Sequence, residues 1–340
     1  MITFETEVTR IDAQQWRALV QASSTATWFQ TREAYDFYMS LPEMMTPFVV
    51  AVSADTALQG VVVGYITCDK NPLKQFFTRR AIVIGGPLLD DNISDVALEQ
   101  LLSALRQRLQ KHAIYIETRN FNDYSRWRLV FERCGFAYQP HLNFHVDTSA
   151  LSVIESRLGK GRKRDIRTSL RDGAVVVENP STEQLHQFYA LLRHLYRTKV
   201  KTPLFPWQFF ERLYELSTSH FLLVEYRQQI IGGTVCVALE GRTLFEWFVC
   251  GQDGEYKNIF PSSLATYAGI RYAANHEMSR FDMMGAGTPT ENYGVRDFKA
   301  RFGGRLVEHG RWLHICKPIL YSIGTLGVKL LKKYDNGISI

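Results

Sequence analysis

The stretch Tyr293–Gly304, YGVRDFKARFGG, sets a lysine, Lys299, directly beside an aromatic residue, Phe298, with Arg296 and Arg301 close by. A lysine ammonium held against aromatic walls in a partly dry cleft can stabilise a developing oxyanion, because Coulomb energies grow as the dielectric falls. Aminolysis of an ester or thioester passes through such an anion and needs an amine that has given up its proton. The bland alternative is a lysine on a helix flank that snorkels to water. Arg296 and Arg301 can each grip a phosphate or carboxylate with two donors, or stay solvated beside Asp297 and Glu308. Asp282, in SRFDMMG (279–285), could orient an amine or take its proton. Tyr293 and Tyr256 are candidate hydrogen-bonding groups for the same cleft. Gly285 and Gly287 allow a backbone to approach a ligand closely, or shape a turn.

The densest charge lies at Lys160, Arg162, Lys163, Arg164, Arg167 and Arg171, interrupted only by Asp165. Arg164, Arg167 and Arg171 recur at helical spacing, so they share one face and repel one another. An anion such as a nucleotide diphosphate or a tRNA backbone would relieve that repulsion, and water is the competing partner. His141 and His145 fall in a strand and lack a Cys/His partner group, so no metal site is expected.

The elements that position these residues recur in two halves. In the first, helix-like 12–21 precedes strands 47–52 and 58–67, an apolar run 81–86, helix 96–112, strand 113–118 and a short helix, 125–136. In the second, helix 181–196 precedes strands 221–226 and 230–239, the run 242–249, helix 262–276, strand 279–285 and the opening stretch 293–304. Period-2 and period-3.6 patterns support these assignments. Each half therefore predicts an α/β unit with a mixed sheet and helices on its faces, the two in close contact with a cleft between them. Aligning the halves places Glu117 opposite Asp282, Arg133 opposite Arg301, and Val130-Phe131 opposite Phe298-Lys299. Val295, Phe298 and Phe302 read as the buried stripe of the last helix. The boundary is expected after strand 142–147, giving units 1–149 and 150–312 and a C-terminal amphipathic helix within 313–340.

The 340 residues are 46% hydrophobic and 22% charged, which is globular composition spread over more than one core. Five cysteines with no C-x-x-C pair fit a reducing compartment. The N-terminus shows no basic segment leading into an apolar one, so the expected location is cytoplasmic. A net charge of +6 favours anionic partners. The tail KPILYSIGTLGVKLLKKY (317–334) is too short and interrupted to span a bilayer. Packing across the two units is the preferred reading, and peripheral contact with the inner face of a membrane the alternative.

The paired units, the ending FDMMGAG…YGVRDFKARFGG, the aromatic–Gln segment WFQTREAYDFY (28–38) and the basic helix GRKRDIRTSLRDGAVVV (161–177) together resemble the FemABX aminoacyltransferases and their tandem GNAT-like relatives. The resemblance covers most of the chain. It implies two GNAT-like domains and transfer of an amino acid from charged tRNA to an amine, typically of a peptidoglycan precursor carrying a nucleotide or lipid diphosphate. It also implies that Lys299, after Phe298, stands near the reacting carbonyl, and that the donor is a substrate with no resident cofactor. Two departures bear on the acceptor and the tRNA contacts: Tyr38 replaces a lysine that family members often use on the diphosphate, and the second unit lacks an inserted helical arm. The competing readings are an acyl-CoA-dependent N-acyltransferase and a non-catalytic binding protein. GQDGEYKNIFPSSLATY (251–267) lacks the glycine-rich loop that cradles the pyrophosphate of CoA, and the acidic IGGPLLDDNISD (84–95) suits it poorly.

Overall fold

The computed structural model describes residues 1–69 and 71–326. The chain divides into two units: Met1–Pro140 with His309 onward, and His141–Glu308. In the first unit, β1 (Ile2–Glu5), β2 (Met45–Ala54), β3 (Ala57–Thr67), β4 (Arg80–Gly85), β5 (Leu88–Leu89), β6 (Tyr115–Asn120) and β7 (Ala137–Gln139) come from the first part of the chain. The second unit holds β8 (Leu142–Asp147), β9 (Val175–Val177), β10 (Ser219–Tyr226), β11 (Gln229–Leu239), β12 (Thr243–Gly251), β13 (Arg280–Asp282) and β14 (Arg305–Glu308). Strand β15 (Arg311–Ile315) then returns to the first unit.

The first sheet runs β1-β2-β3-β4-β6-β15-β7, with β5 against β3, and the second runs β14-β8-β13-β12-β11-β10-β9. Each is mixed: antiparallel hairpins dominate, while β4–β6 and β12–β13 are parallel pairs joined by crossover helices, Asp95–Leu109 and Pro261–Asn275. A parallel pair requires such a crossover.

Two expectations about the boundary differ from the structure. Strand 142–147, read from the sequence as the end of the first unit, pairs between β13 and β14 of the second sheet. Residues 311–315, placed at the second unit's end and the start of the tail, form the strand between β6 and β7 of the first. Side-chain alternation decides both placements. Leu142, Phe144 and Val146 enter an apolar cluster with Phe281, Met283 and Phe302. Asn143 and His145 on the opposite face meet Asp282. In the first unit Trp312 stacks on Phe131, with ring centroids 4.8 Å apart and planes 16° apart. Of the C-terminal segment, residues 318–326 are helical and Tyr321 packs edge-on to Tyr115. The rest of that expected helix lies outside the described residues. No helix among the described residues is long and apolar enough to cross a membrane.

The two parallel pairs end differently. In the first unit β4 and β6 stay paired from Arg80↔Tyr115 to Gly85↔Asn120. The carbonyls that follow are taken up inside the unit: Gln30 Nε2 donates to Gly85 and Gly86, and the Tyr124 hydroxyl to Gly85 and Pro87. In the second unit β13 leaves β12 after Phe245↔Asp282, while β12 runs on to Gly251 paired with β11 alone. The aromatic–Gln segment therefore seals the strand end in one unit, and the corresponding end of the other is open.

Candidate functional site

At that opening stands Lys299. It lies on helix Gly294–Ala300 and is only 6% exposed, so it does not snorkel. The expected stripe is turned: Val295 faces solvent, Phe298 is half-buried, and Phe302 and Lys299 point inward. Lys299 Nζ donates to the backbone carbonyls of Met283, Met284 and, at 2.8 Å, Gly285. Those are all three donors of an ammonium group. Convergence of three successive carbonyls requires an unusual backbone, and Met284 and Gly285 both sit in the left-handed region, at φ 44° and 47°. For methionine that conformation is strained.

Two buried carboxylates flank the ammonium. Asp282, at the end of β13, is fully buried. Asn143 Nδ2 donates to it at 2.7 Å, the Met284 N–H at 2.8 Å, and His145 Nε2 stands 3.1 Å from its other oxygen. Burial alone would push its carboxyl up, but His145, Arg280 and Asn143 together hold it below the ordinary value. Asp282 is therefore held toward its anionic form, with one oxygen accepting from Asn143 and the Met284 N–H and the other facing His145, and it organises the loop that follows it.

Glu246 is the residue the sequence reading missed. It follows Phe245 on β12 at the point where β13 departs. Its side chain is buried, one oxygen lies 3.4 Å from the Thr234 hydroxyl, and the other has no hydrogen-bond partner. Burial pushes its carboxyl up to about 7, against the pull of Lys299. Conversely, burial lowers the pKa of Lys299, with Glu246 and then Asp282 acting to keep it charged. A single acid inside the apolar run RTLFEWFV was the signal available in the sequence.

Of the other candidates, Arg296 and Tyr293 gather at the same loop. Arg296 donates through Nε to the Ala286 carbonyl at 3.0 Å, and through its other end to Thr288. It clamps the loop rather than waiting for an anion. Tyr293 is 40% exposed and packs over Gly287, where an added Cβ would come within 3.0 Å of its ring. Tyr196, at the end of the helix 182–195, and Phe248 extend this aromatic wall, their rings 6.5 Å apart. Arg301 is exposed, and its backbone carbonyl accepts from Gly159. Tyr256 is partly buried and packs edge-on to Tyr226 against the apolar cluster.

The basic run divides sharply. On helix Lys160–Arg171, Arg162, Ile166 and Ser169 are buried, while Lys160, Arg164, Arg167 and Arg171 share the exposed face. Arg164 and Arg171 are partly neutralised by Asp165 and Asp172. Arg162, expected among the surface cations, instead lies between Phe298 and Phe302, 4.4 and 4.6 Å from their ring centres, and donates to Ser263. It thereby fixes the helix that carries Lys299. Arg162→Ala is expected to lower the free energy of unfolding by about 2–4 kcal/mol, and Arg164→Ala or Arg167→Ala by less than about 0.5 kcal/mol. Denaturant titration of the three variants measures the contrast.

Comparison with known proteins bears on this geometry. Residues 159–300, which contain helix 160–171, β12, β13 and Lys299, match the family model described as acetyltransferase (GNAT) domain. No curated protein matches the chain in sequence. Among solved structures, FemX superposes with a TM-score of 0.71 at 14% identity, over 94% of this chain and 99% of that one. The C-terminal domain of a putative lysylphosphatidylglycerol synthetase from Agrobacterium fabrum gives 0.59 at 11%, over 94% and 95%. A tandem GNAT protein from the clavulanic acid biosynthesis pathway gives 0.57 at 12%, over 93% and 99%. Two α/β units, expected from the repeat, and their GNAT-like character, implied by the resemblance, are thus the fold of this chain.

Proposed function

We propose that this chain, a GNAT-fold acyltransferase with the tandem architecture of FemX, forms an amide bond by moving an aminoacyl group from charged tRNA to an amine. The acceptor is a cell-wall or polysaccharide precursor carrying a nucleotide or lipid diphosphate. The observation that carries the reading is Lys299, buried at the strand pair that opens, with its Nζ donating to three successive backbone carbonyls. Its charge acts through the polarised 283–285 segment on the oxyanion of the tetrahedral intermediate, and Phe298 and Tyr293 keep water back. Because its three donors are already engaged, a direct bond to the oxyanion exchanges one of the carbonyls.

The donor is the point at which acyl-CoA competes. CoA-dependent domains cradle pyrophosphate on the N–H groups that open the crossover helix. In this chain the side chain of Asp253 accepts from the Ser262 N–H at 3.2 Å, placing a carboxylate at that helix start. Asp253 would repel a pyrophosphate, which supports an aminoacyl ester over a CoA thioester. The exposed face of Lys160, Arg164, Arg167 and Arg171 supplies cations for the tRNA backbone. On this reading the reaction takes place in the cytoplasm, or peripherally at the inner face of a membrane.

The test is a donor competition. Protein is incubated with a UDP-linked peptide acceptor and either mixed aminoacyl-tRNA or acetyl-CoA, and products are read by mass spectrometry. Amide formation from aminoacyl-tRNA is expected; acetyl transfer from acetyl-CoA alone would overturn the donor assignment.

A further inference from the structure

The second unit also contains an open cavity of about 490 Å³ at the edge of its sheet, lined by residues that the proposed reaction does not use. It arises from strand length. β14 begins at Arg305, opposite His145, whereas β8 continues through Val146 to Asp147. The notch left beside those residues is rimmed by the backbone of Gly303–Gly304 and by Arg157, Arg280 and Arg305. Gly303 makes this rim possible. It is left-handed at φ 76°, and an added Cβ would stand 2.4 Å from the Arg157 carbonyl, so only glycine brings the two segments this close.

The rim holds an excess of positive charge. Arg157 pairs with Asp147 at 3.2 Å. Arg280 donates through Nε to the Thr243 hydroxyl at 3.1 Å, and its two terminal nitrogens have no acceptor among the described residues. Arg305 makes no ion pair or side-chain hydrogen bond among the described residues, and is exposed. Three guanidinium groups thus share two carboxylates, Asp147 at the rim and the fully buried Asp282, whose hydrogen bonds come from Asn143 and the Met284 N–H. Arg280 carries the burden: burial, together with Arg242 and Arg305, lowers its affinity for its own proton, against the pull of Asp282. Cations gathered in a concave site without matching anions are unfavourable until a ligand supplies the charge.

We propose that this notch is a phosphate-binding site, separate from the Lys299 opening, that takes a phosphomonoester or diphosphate on Arg157, Arg280 and Arg305. A guanidinium matches phosphate with two parallel donors, and three guanidiniums around one notch suit the several oxygens of a phosphate better than a single carboxylate. The site does not depend on the proposed reaction.

The probe is inorganic pyrophosphate, titrated calorimetrically into the full chain at low salt. Saturable one-to-one binding is expected, weakened by roughly tenfold or more in Arg305→Ser and lost in Arg157→Ser/Arg305→Ser, as befits charged hydrogen bonds. Both side chains are exposed, so the variants should fold, and a thermal melt confirms it. Arg17→Ser/Arg108→Ser, which changes net charge equally at two exposed positions of the first unit, should bind as the parent does. Competition by uridine diphosphate or by vesicles containing phosphatidic acid then identifies a soluble or a lipid source, and displacement by either supports the site. Absence of binding at millimolar pyrophosphate, or equal binding by the Arg157/Arg305 double variant, would overturn it.

Discussion

Lys299→Met is expected to lower turnover per folded molecule by about 10²- to 10³-fold, the scale at which loss of one oxyanion-stabilising group is felt. Methionine keeps most of the side-chain volume and removes the charge. The carbonyls of Met283, Met284 and Gly285 then lose their common donor, and Glu246 loses the cation that faces it. Breaking such a buried arrangement from one side destabilises by roughly 3–5 kcal/mol. The two effects must therefore be separated. Single-turnover rates are normalised to the folded fraction from circular dichroism, under conditions where the variant stays folded. A folded Lys299→Met protein within about threefold of the parent rate would leave Lys299 as a structural clamp and sink its proposed role.

Glu246→Gln should change how stability responds to pH. In the folded chain Glu246 holds its proton up to about pH 7, whereas an unfolded glutamate loses it near its ordinary value of 4.5. Its stabilising contribution is thus fully present below pH 4.5. It falls as pH rises toward 7, because the unfolded state then releases a proton the folded state retains, and it levels off above 7. Over that window the loss is of the order of 3 kcal/mol. Glutamine mimics the protonated acid and cannot titrate, so this decline should vanish from denaturation curves taken between pH 5 and 8. Lys299 works in the opposite sense at higher pH, since its lowered value means the folded state releases its proton earlier. Equal slopes for parent and variant between pH 5 and 7 would show that Glu246 is ionised throughout.

Much of the scaffold is legible because it rests on local patterns. The doubled order of helices and strands appears in both sheets, with β12 and β13 in the second where β4 and β6 stand in the first. The alignment of Lys299 with Phe131 also has physical content, for both side chains are buried in their own units. What escaped depends on partners remote in sequence. The alternation in LNFHVD fits any half-buried strand, and only contact with Phe281 and Asp282 assigns it to the second sheet. Arg162 sits among five other cations, and its burial follows from two phenylalanines 136 and 140 residues away. Glu246 would be read as a solvated strand residue until its neighbours are known. Val295 failed for a related reason: helical spacing identifies a face, but a buried cation, not the aliphatic stripe, turns this helix inward.

The path of the chain between the units has a consequence for synthesis. Strand β7 pairs with β15 alone, and β15 comes from residues 311–315. As the polypeptide leaves the ribosome, everything up to Pro140 has emerged while the slot between β6 and β7 is still vacant. The second unit is continuous in sequence and can close first. The N-terminal unit is thus the last to mature, waiting for a strand encoded after the whole of the second unit, and a ribosome that stops before codon 311 leaves it with an open edge prone to mispairing.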